Sequence, residues 1–308
     1  MSQHPYQNIA VNELLTGLDM VRWAASEFHR AELFFGHGTN NAWEEAQALL
    51  MHILNLPYQW IADTQCKVLD ARLTEQERCD VAQMVWQRVS ERVPLPYITH
   101  QAWFCGLPFY VDERVLIPRS PIAELINNGF SDYLEETPAR IMDLCTGGAC
   151  IAIALAYQFT DAQVDALDIS SDALDVAEIN ISQHGLSERV VPIQSDLFSA
   201  VDGQRYDLIV SNPPYVDAED MADLPDEFTH EPELALAAGD DGLDLVETIL
   251  RQAPAHLTDH GWLFVEVGNS MVHFAQRFPG LNVTWVNFTH GGDGVFAVDH
   301  KTLSDYFS

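Results

Sequence analysis

Four consecutive residues, Asn212, Pro213, Pro214 and Tyr215, close the apolar run in 207-DLIVSNPPYVD-217. The asparagine offers a planar amide, the prolines lock φ and bias the preceding residue away from helix, and the tyrosine adds a flat aromatic wall. That set suits chemistry at a planar nitrogen. An amide or aniline-like nitrogen has a delocalised lone pair, so it is a poor nucleophile and a poor target for general-base catalysis. Two acceptors, the Asn212 side-chain oxygen and the Pro213 backbone carbonyl, would hold both N–H hydrogens and aim the lone pair, making preorganisation the catalytic device. Tyr215 would pack on the planar group. Taken alone, the tetrapeptide is equally a turn that ends a strand.

Three acids at successive predicted strand ends change that balance. Asp143, in 143-DLCTGGACIAIA-154, precedes a small-residue turn of Cys145, Thr146, Gly147, Gly148 and Ala149. Such a turn lets backbone amides approach a ligand at the start of a helix. Asp168 ends the next strand, where a carboxylate can accept both hydroxyls of a ribose. Asp196, beside Leu197 in 195-SDLF-198, can reach an adenine amino group. Together the acids form a nucleoside cradle, although singly each is as well explained as a helix cap. The first turn lacks GxGxxG, which argues against a nicotinamide-dependent oxidoreductase.

The elements that must position these residues follow from periodicity. Residues 12–93 carry helical patterning, with Leu14, Leu18, Val21, Ala25 and Phe28 as one apolar stripe, caps at Asn40 and Asn41, and a capping box in 74-TEQE-77. This predicts a small helical domain over residues 1–93 that recognises the substrate. The aromatic-rich stretch 94–119 predicts a hairpin connector with its turn at 106–108, after which Ser120 caps a helix opened by Pro121. Over 120–308, β-prone segments at 140–144, 164–167, 190–194, 206–211, 262–267, 283–288 and 295–298 alternate with helices. Alternation predicts a doubly wound, mostly parallel α/β sheet. Only 289-THGGDG-294 separates the last two strands, so the final one is expected to run antiparallel.

Composition narrows the partners. The 308 residues hold 46 acidic and 15 basic side chains, a net charge of −31, which repels phosphate backbones and attracts a basic protein. Five cysteines without CxxC spacing suit reduced thiols, and the twelve histidines show no ligand spacing, so no metal is expected. The N-terminal residues lack the basic patch and apolar run of a secretory signal, and no stretch approaches a membrane span, so a cytoplasmic location is expected.

The order of strand-end acid, small-residue turn, second acid, third acid and NPPY resembles the class I S-adenosylmethionine-dependent methyltransferases. The resemblance implies S-adenosyl-L-methionine as cofactor, held by the three acids, the turn residues 145–149, Leu197 and Asn212. It also implies Asn212, Pro213, Pro214 and Tyr215 as the substrate site, with neither metal nor covalent intermediate. That family carries glycines where this chain has Cys145 and Ala149, which leaves open a binding module without turnover. Similar NPPY motifs occur in enzymes acting on DNA adenine, on protein glutamine and on RNA guanine. The connector 94-PLPYITHQAWFCGLPFYVDERVLIPRSPIAELI-126, with 231-EPELALAAGDDGLD-244 and 263-LFVEVGNS-270, resembles the protein glutamine N(5)-methyltransferases over about residues 90–300. Its IPRSPI form is similar to the branch that methylates a glutamine of large-subunit ribosomal protein three. The release-factor branch, which carries PRPETE, is the alternative, and DNA adenine methylation is less favoured for want of a basic face and a target-reading domain. Arg119 and Ser120 are expected to shape a lid over the cofactor, with Arg119 in a structural ion pair.

Overall fold

Capping residues set the first helices. The computed structural model describes residues 12–63, 66–289 and 291–308, and it divides into two units: the chain up to Gln101 with Pro225–His230, and Ala102–Leu224 with Glu231–Ser308. In the first unit, α1 (Gly17–Arg30) and α3 (Glu75–Ser90) each open with a capping box, Thr16 with Asp19 and Thr74 with Glu77, while Asn41 caps α2 (Ala42–Ile53). A short helix, α4 (Leu95–Thr99), falls inside the stretch expected to be connector. Met20, Val21, Ala24 and Phe28 of α1 pack with Leu49 and Leu50 of α2 and Val81 and Val85 of α3. Leu18, expected on the buried stripe, is 42% exposed. Met20 and Ala24 take that face because they lie three and four residues from Gly17, Val21 and Phe28.

Arg88 is buried at the centre of this unit. Its Nε meets Glu45 at 2.6 Å, its Nη1 meets Glu227 at 3.0 Å and its Nη2 donates to the Phe34 carbonyl at 2.7 Å. A buried guanidinium is tolerable only with its donors filled in this way. The ion cluster therefore binds the excursion Pro225–His230 to the helices.

The second unit opens with a hairpin of β1 (Ala102–Phe104) and β2 (Leu107–Phe109). Its turn is Cys105–Gly106, both at positive φ (49° and 76°), one residue earlier than expected. Two consecutive left-handed residues make the tight turn whose twist matches paired strands. Pro108 then sits opposite Trp103 in the ladder.

After α5 (Ile122–Asn127) come β3 (Arg140–Leu144), α6 (Cys150–Gln158), β4 (Gln163–Asp168), α7 (Ser171–Gln183), β5 (Val190–Gln194), β6 (Tyr206–Ser211), α8 (Ala218–Asp223), α9 (Asp244–His256), β7 (Leu257–Glu266), α10 (Met271–Arg277), β8 (Thr284–Trp285), β9 (Val295–Asp299) and α11 (His300–Phe307). The sheet order is β5-β4-β3-β6-β7-β9-β8. β3 to β7 pair in parallel, and β9 runs antiparallel to both β7 and β8. The antiparallel last strand matches expectation, and it lies between β7 and β8 rather than at the edge. Helices cover both faces, so central strands are apolar on both: Leu208 and Val210 join one core and Ile209 the other. The strand order reverses between β3 and β6, which opens a crevice at their carboxyl ends.

Candidate active site

That crevice is lined by residues 145–148, Asp168, Asp196, Leu197, Asn212 and Pro214, faced by Arg114–Leu116 and Pro118–Ser120. The turn after β3 explains its composition. Cys145, Gly147 and Ala149 all have left-handed φ, at 63°, 54° and 62°, where glycine is the least strained residue. Cys145 and Ala149 adopt this conformation although they carry a Cβ. At Gly147 an added Cβ would meet nothing within 4 Å, so the bare backbone faces open space in the crevice.

Asp168 ties two strand ends together. Its carboxylate accepts the amides of Gly147 at 2.8 Å and Ser170 at 2.9 Å. Burial lifts its pKa against those bonds. Asp143 lies beneath the turn, fully buried, and its Oδ2 accepts the Thr146 hydroxyl at 2.5 Å and the Ala152 amide at 3.0 Å. Its Oδ1 is buried without a partner, and burial raises its pKa to about 7. Asp196 is exposed on the crevice wall.

Asn212 follows Ser211, whose hydroxyl donates to the Leu144 carbonyl at 2.7 Å and so pins the end of β6 to β3. The Asn212 Oδ1 is buried and has no hydrogen-bond partner. Unfilled buried acceptors are rare in folded proteins and mark a place where a donor belongs. Pro214 lines the crevice with Asn212; Asp143 and Ala149 are buried at the turn after β3, and Pro213 and the half-buried Tyr215 adjoin the lining along the chain. Tyr215 spends its hydroxyl on Glu266 Oε1 at 2.9 Å.

Three residues here had not been singled out from the sequence. Asn180 on α7 accepts the Tyr110 amide at 2.8 Å and donates to the Tyr110 and Gly148 carbonyls at 3.1 and 2.9 Å, clamping the turn after β3 to the connector. Glu231 takes Arg119 in a two-point ion pair at 2.6 and 2.7 Å. Glu266 takes the Ser120 hydroxyl. The ion pair expected of Arg119 is present. Only the motif neighbourhoods of Glu231 and Glu266 were visible in the sequence, and nothing local marks Asn180.

The open backbone turn and the carboxylates at successive strand ends fit a nucleoside that carries hydroxyls and a positive charge, and the unfilled Asn212 Oδ1 remains for a further donor. A family model described as a methyltransferase small domain matches residues 129–241. The fold is similar to that of the hMettl16 catalytic domain in complex with MAT2A 3′UTR hairpin 1, at a TM-score of 0.50, 18% identity, and coverage of 81% of this chain and 89% of that one; this likeness concerns fold alone. Fold and crevice thus define a class I methyltransferase.

Full-length relatives narrow the class. The chain is 45% identical over 307 residues to the ribosomal protein uL3 glutamine methyltransferase of Francisella tularensis subsp. tularensis, covering 99% of this chain and 96% of that protein. It is 48% identical over 299 residues to the Neisseria gonorrhoeae protein of the same name, covering 96% and 98%. The chain belongs to the ribosomal protein uL3 glutamine methyltransferase family.

Proposed function

We propose that the protein binds S-adenosyl-L-methionine and catalyses methylation of the side-chain amide nitrogen of a glutamine in ribosomal protein uL3. The observation that carries this is the buried, unfilled Asn212 Oδ1 at the crevice, an acceptor suited to one amide N–H. The Pro213 carbonyl is the second acceptor. With both hydrogens held, the nitrogen keeps its lone pair free for attack, and no base needs to remove a proton beforehand. The cofactor, when bound, supplies an electrophilic methyl group on a sulfonium. Asp168 and Asp196 would hold its ribose and adenine, and Asp143 would face its charged end from beneath the turn.

Electrostatics favour a basic protein substrate. From residue 102 onward the chain holds 34 of its 46 acidic residues and eight of its 15 basic ones. Such a field speeds encounter with a basic ribosomal protein and opposes nucleic acid. A cytoplasmic site of action accords with that substrate, and no helix among the described residues is long and apolar enough to cross a membrane.

Labelled methyl transfer tests the proposal. With cofactor and purified uL3, label should appear on one glutamine of uL3, in preference to a release factor supplied alongside. Label on the release factor alone would transfer the assignment to that branch of the family, and label on neither would remove it.

A further inference from the structure

Tyr215 is held from several directions. Its hydroxyl donates to Glu266 Oε1 at 2.9 Å, and Ser270 Oγ donates to its carbonyl at 2.9 Å. Gly268, at φ +46°, lies so close beneath the ring that an added Cβ would come within 2.5 Å of it. Gly242, at φ +72°, would place a Cβ 2.2 Å from the Tyr215 carbonyl oxygen. Both glycines are required by conformation and by space. Such a fit belongs to a side chain whose position matters.

Glu266 is the polar anchor of this arrangement. It ends β7, is 4% exposed, and uses its other oxygen to accept the Ser120 hydroxyl at 2.5 Å. Ser120 in turn accepts the Ile122 amide at 3.2 Å, so the chain of contacts runs from the start of α5 to the NPPY turn. Among the described residues, no salt bridge involves Glu266; hydroxyl hydrogens fill its oxygens. A buried carboxylate hydrogen-bonded by two hydroxyls, with the Arg119 charge as its further support, is a costly way to fill space, and an apolar residue would do so at lower cost. Directional control of its partners is what it adds.

We infer that Glu266 is a positioning residue for amide methylation. It fixes the Tyr215 ring through the tyrosine hydroxyl, beside the turn that presents Asn212 and the Pro213 carbonyl, while Ser120 fixes Glu266. This assignment rests on the glutamine-methylation reading given above. Glu266 itself makes no contact with substrate; it sets the wall against which the planar amide is held between its two acceptors.

The test compares Glu266→Gln, Glu266→Leu and Tyr215→Phe in methyl transfer to uL3. Glutamine keeps an oxygen for the Tyr215 hydroxyl, so Glu266→Gln should stay within about threefold of wild-type kcat, whereas Glu266→Leu should lose about 10- to 100-fold, as misplaced reacting groups do. Tyr215→Phe should match the leucine variant, and the double variant Tyr215→Phe with Glu266→Leu should be no worse than either single change. KM for the cofactor should hold throughout. Near-normal kcat in Glu266→Leu or Tyr215→Phe would overturn the assignment, as would equal losses in the glutamine and leucine variants. If Glu266→Leu does not fold, Tyr215→Phe decides alone. Were the wild type inert toward uL3, the functional reading would fall by itself. Hydrogen exchange across residues 215–217 would then decide the positioning role: faster exchange in both Glu266→Leu and Tyr215→Phe supports it, and unchanged exchange in either overturns it.

Discussion

At the scale of single residues, two unfilled acceptors divide the chemistry. The Asn212 Oδ1 is buried and unfilled; if it accepts a substrate hydrogen as proposed, Asn212→Ala should reduce turnover by more than about 100-fold, the magnitude seen when an aligned hydrogen-bonding group is lost. Binding of the cofactor product, measured by calorimetry, should weaken far less than turnover falls, because Asn212 is one of many residues at the crevice. Asp143 answers to pH. Its folded pKa, about 7, lies above its ordinary value of 3.8 because of burial, so its contribution to stability is fully present below about pH 4 and is lost as pH rises through 7. Asp143→Asn should therefore gain on the wild type by about 1 to 3 kcal/mol at pH 8 and by nothing at pH 4 in denaturant unfolding. The same substitution should weaken cofactor-product binding at pH 8. The three left-handed positions at 145, 147 and 149 show why a tight turn of small residues was legible: backbone conformation selects them locally. NPPY was legible for a similar reason, since proline restricts its own φ and its neighbour's ψ.

At the scale of elements, what was not legible are the bonds between distant segments. Ser120 and Glu266 lie 146 residues apart, and Arg88 and Glu227 lie 139 apart; no periodicity or turn signal records such pairings. Strand order shares this property, because a sheet is assembled from non-adjacent segments whose apolar patterns are alike. Helix starts at Asn41 and Thr74 are legible because a cap is a local bond. The hairpin turn was misplaced by one residue because the Pro108 signal outweighed Cys105, a residue type not expected at positive φ. The Arg88 cluster carries a direct prediction for the helical unit. Arg88→Ala leaves Glu45 and Glu227 buried without their shared cation, and should destabilise that unit by about 3 to 5 kcal/mol. Denaturant unfolding followed by far-ultraviolet circular dichroism measures the loss.

For the whole molecule, the net charge of −31 is the property that acts over distance. If it draws in a basic ribosomal protein, KM for uL3 should rise steeply between about 0.1 and 1 M salt as the screening length falls from about 10 to 3 Å. The rate at saturating substrate should hold. Equal KM at both ends of that range would show that contact, not long-range attraction, governs encounter. Composition made this field visible before any fold was known, and the sequence itself places 34 of the 46 acids from residue 102 onward.

The position of β9 bears on how the sheet comes to be built. Among the described residues, β8 pairs with β9 alone, while β9 pairs along five residues with β7. Thr284 and Trp285 therefore have no edge to join until a segment later in the chain has docked, and assembly at this margin runs against the order of the sequence. In pulsed hydrogen-exchange refolding, the amides of β9 should become protected before or together with those of β8, and earlier protection of β8 would contradict this order.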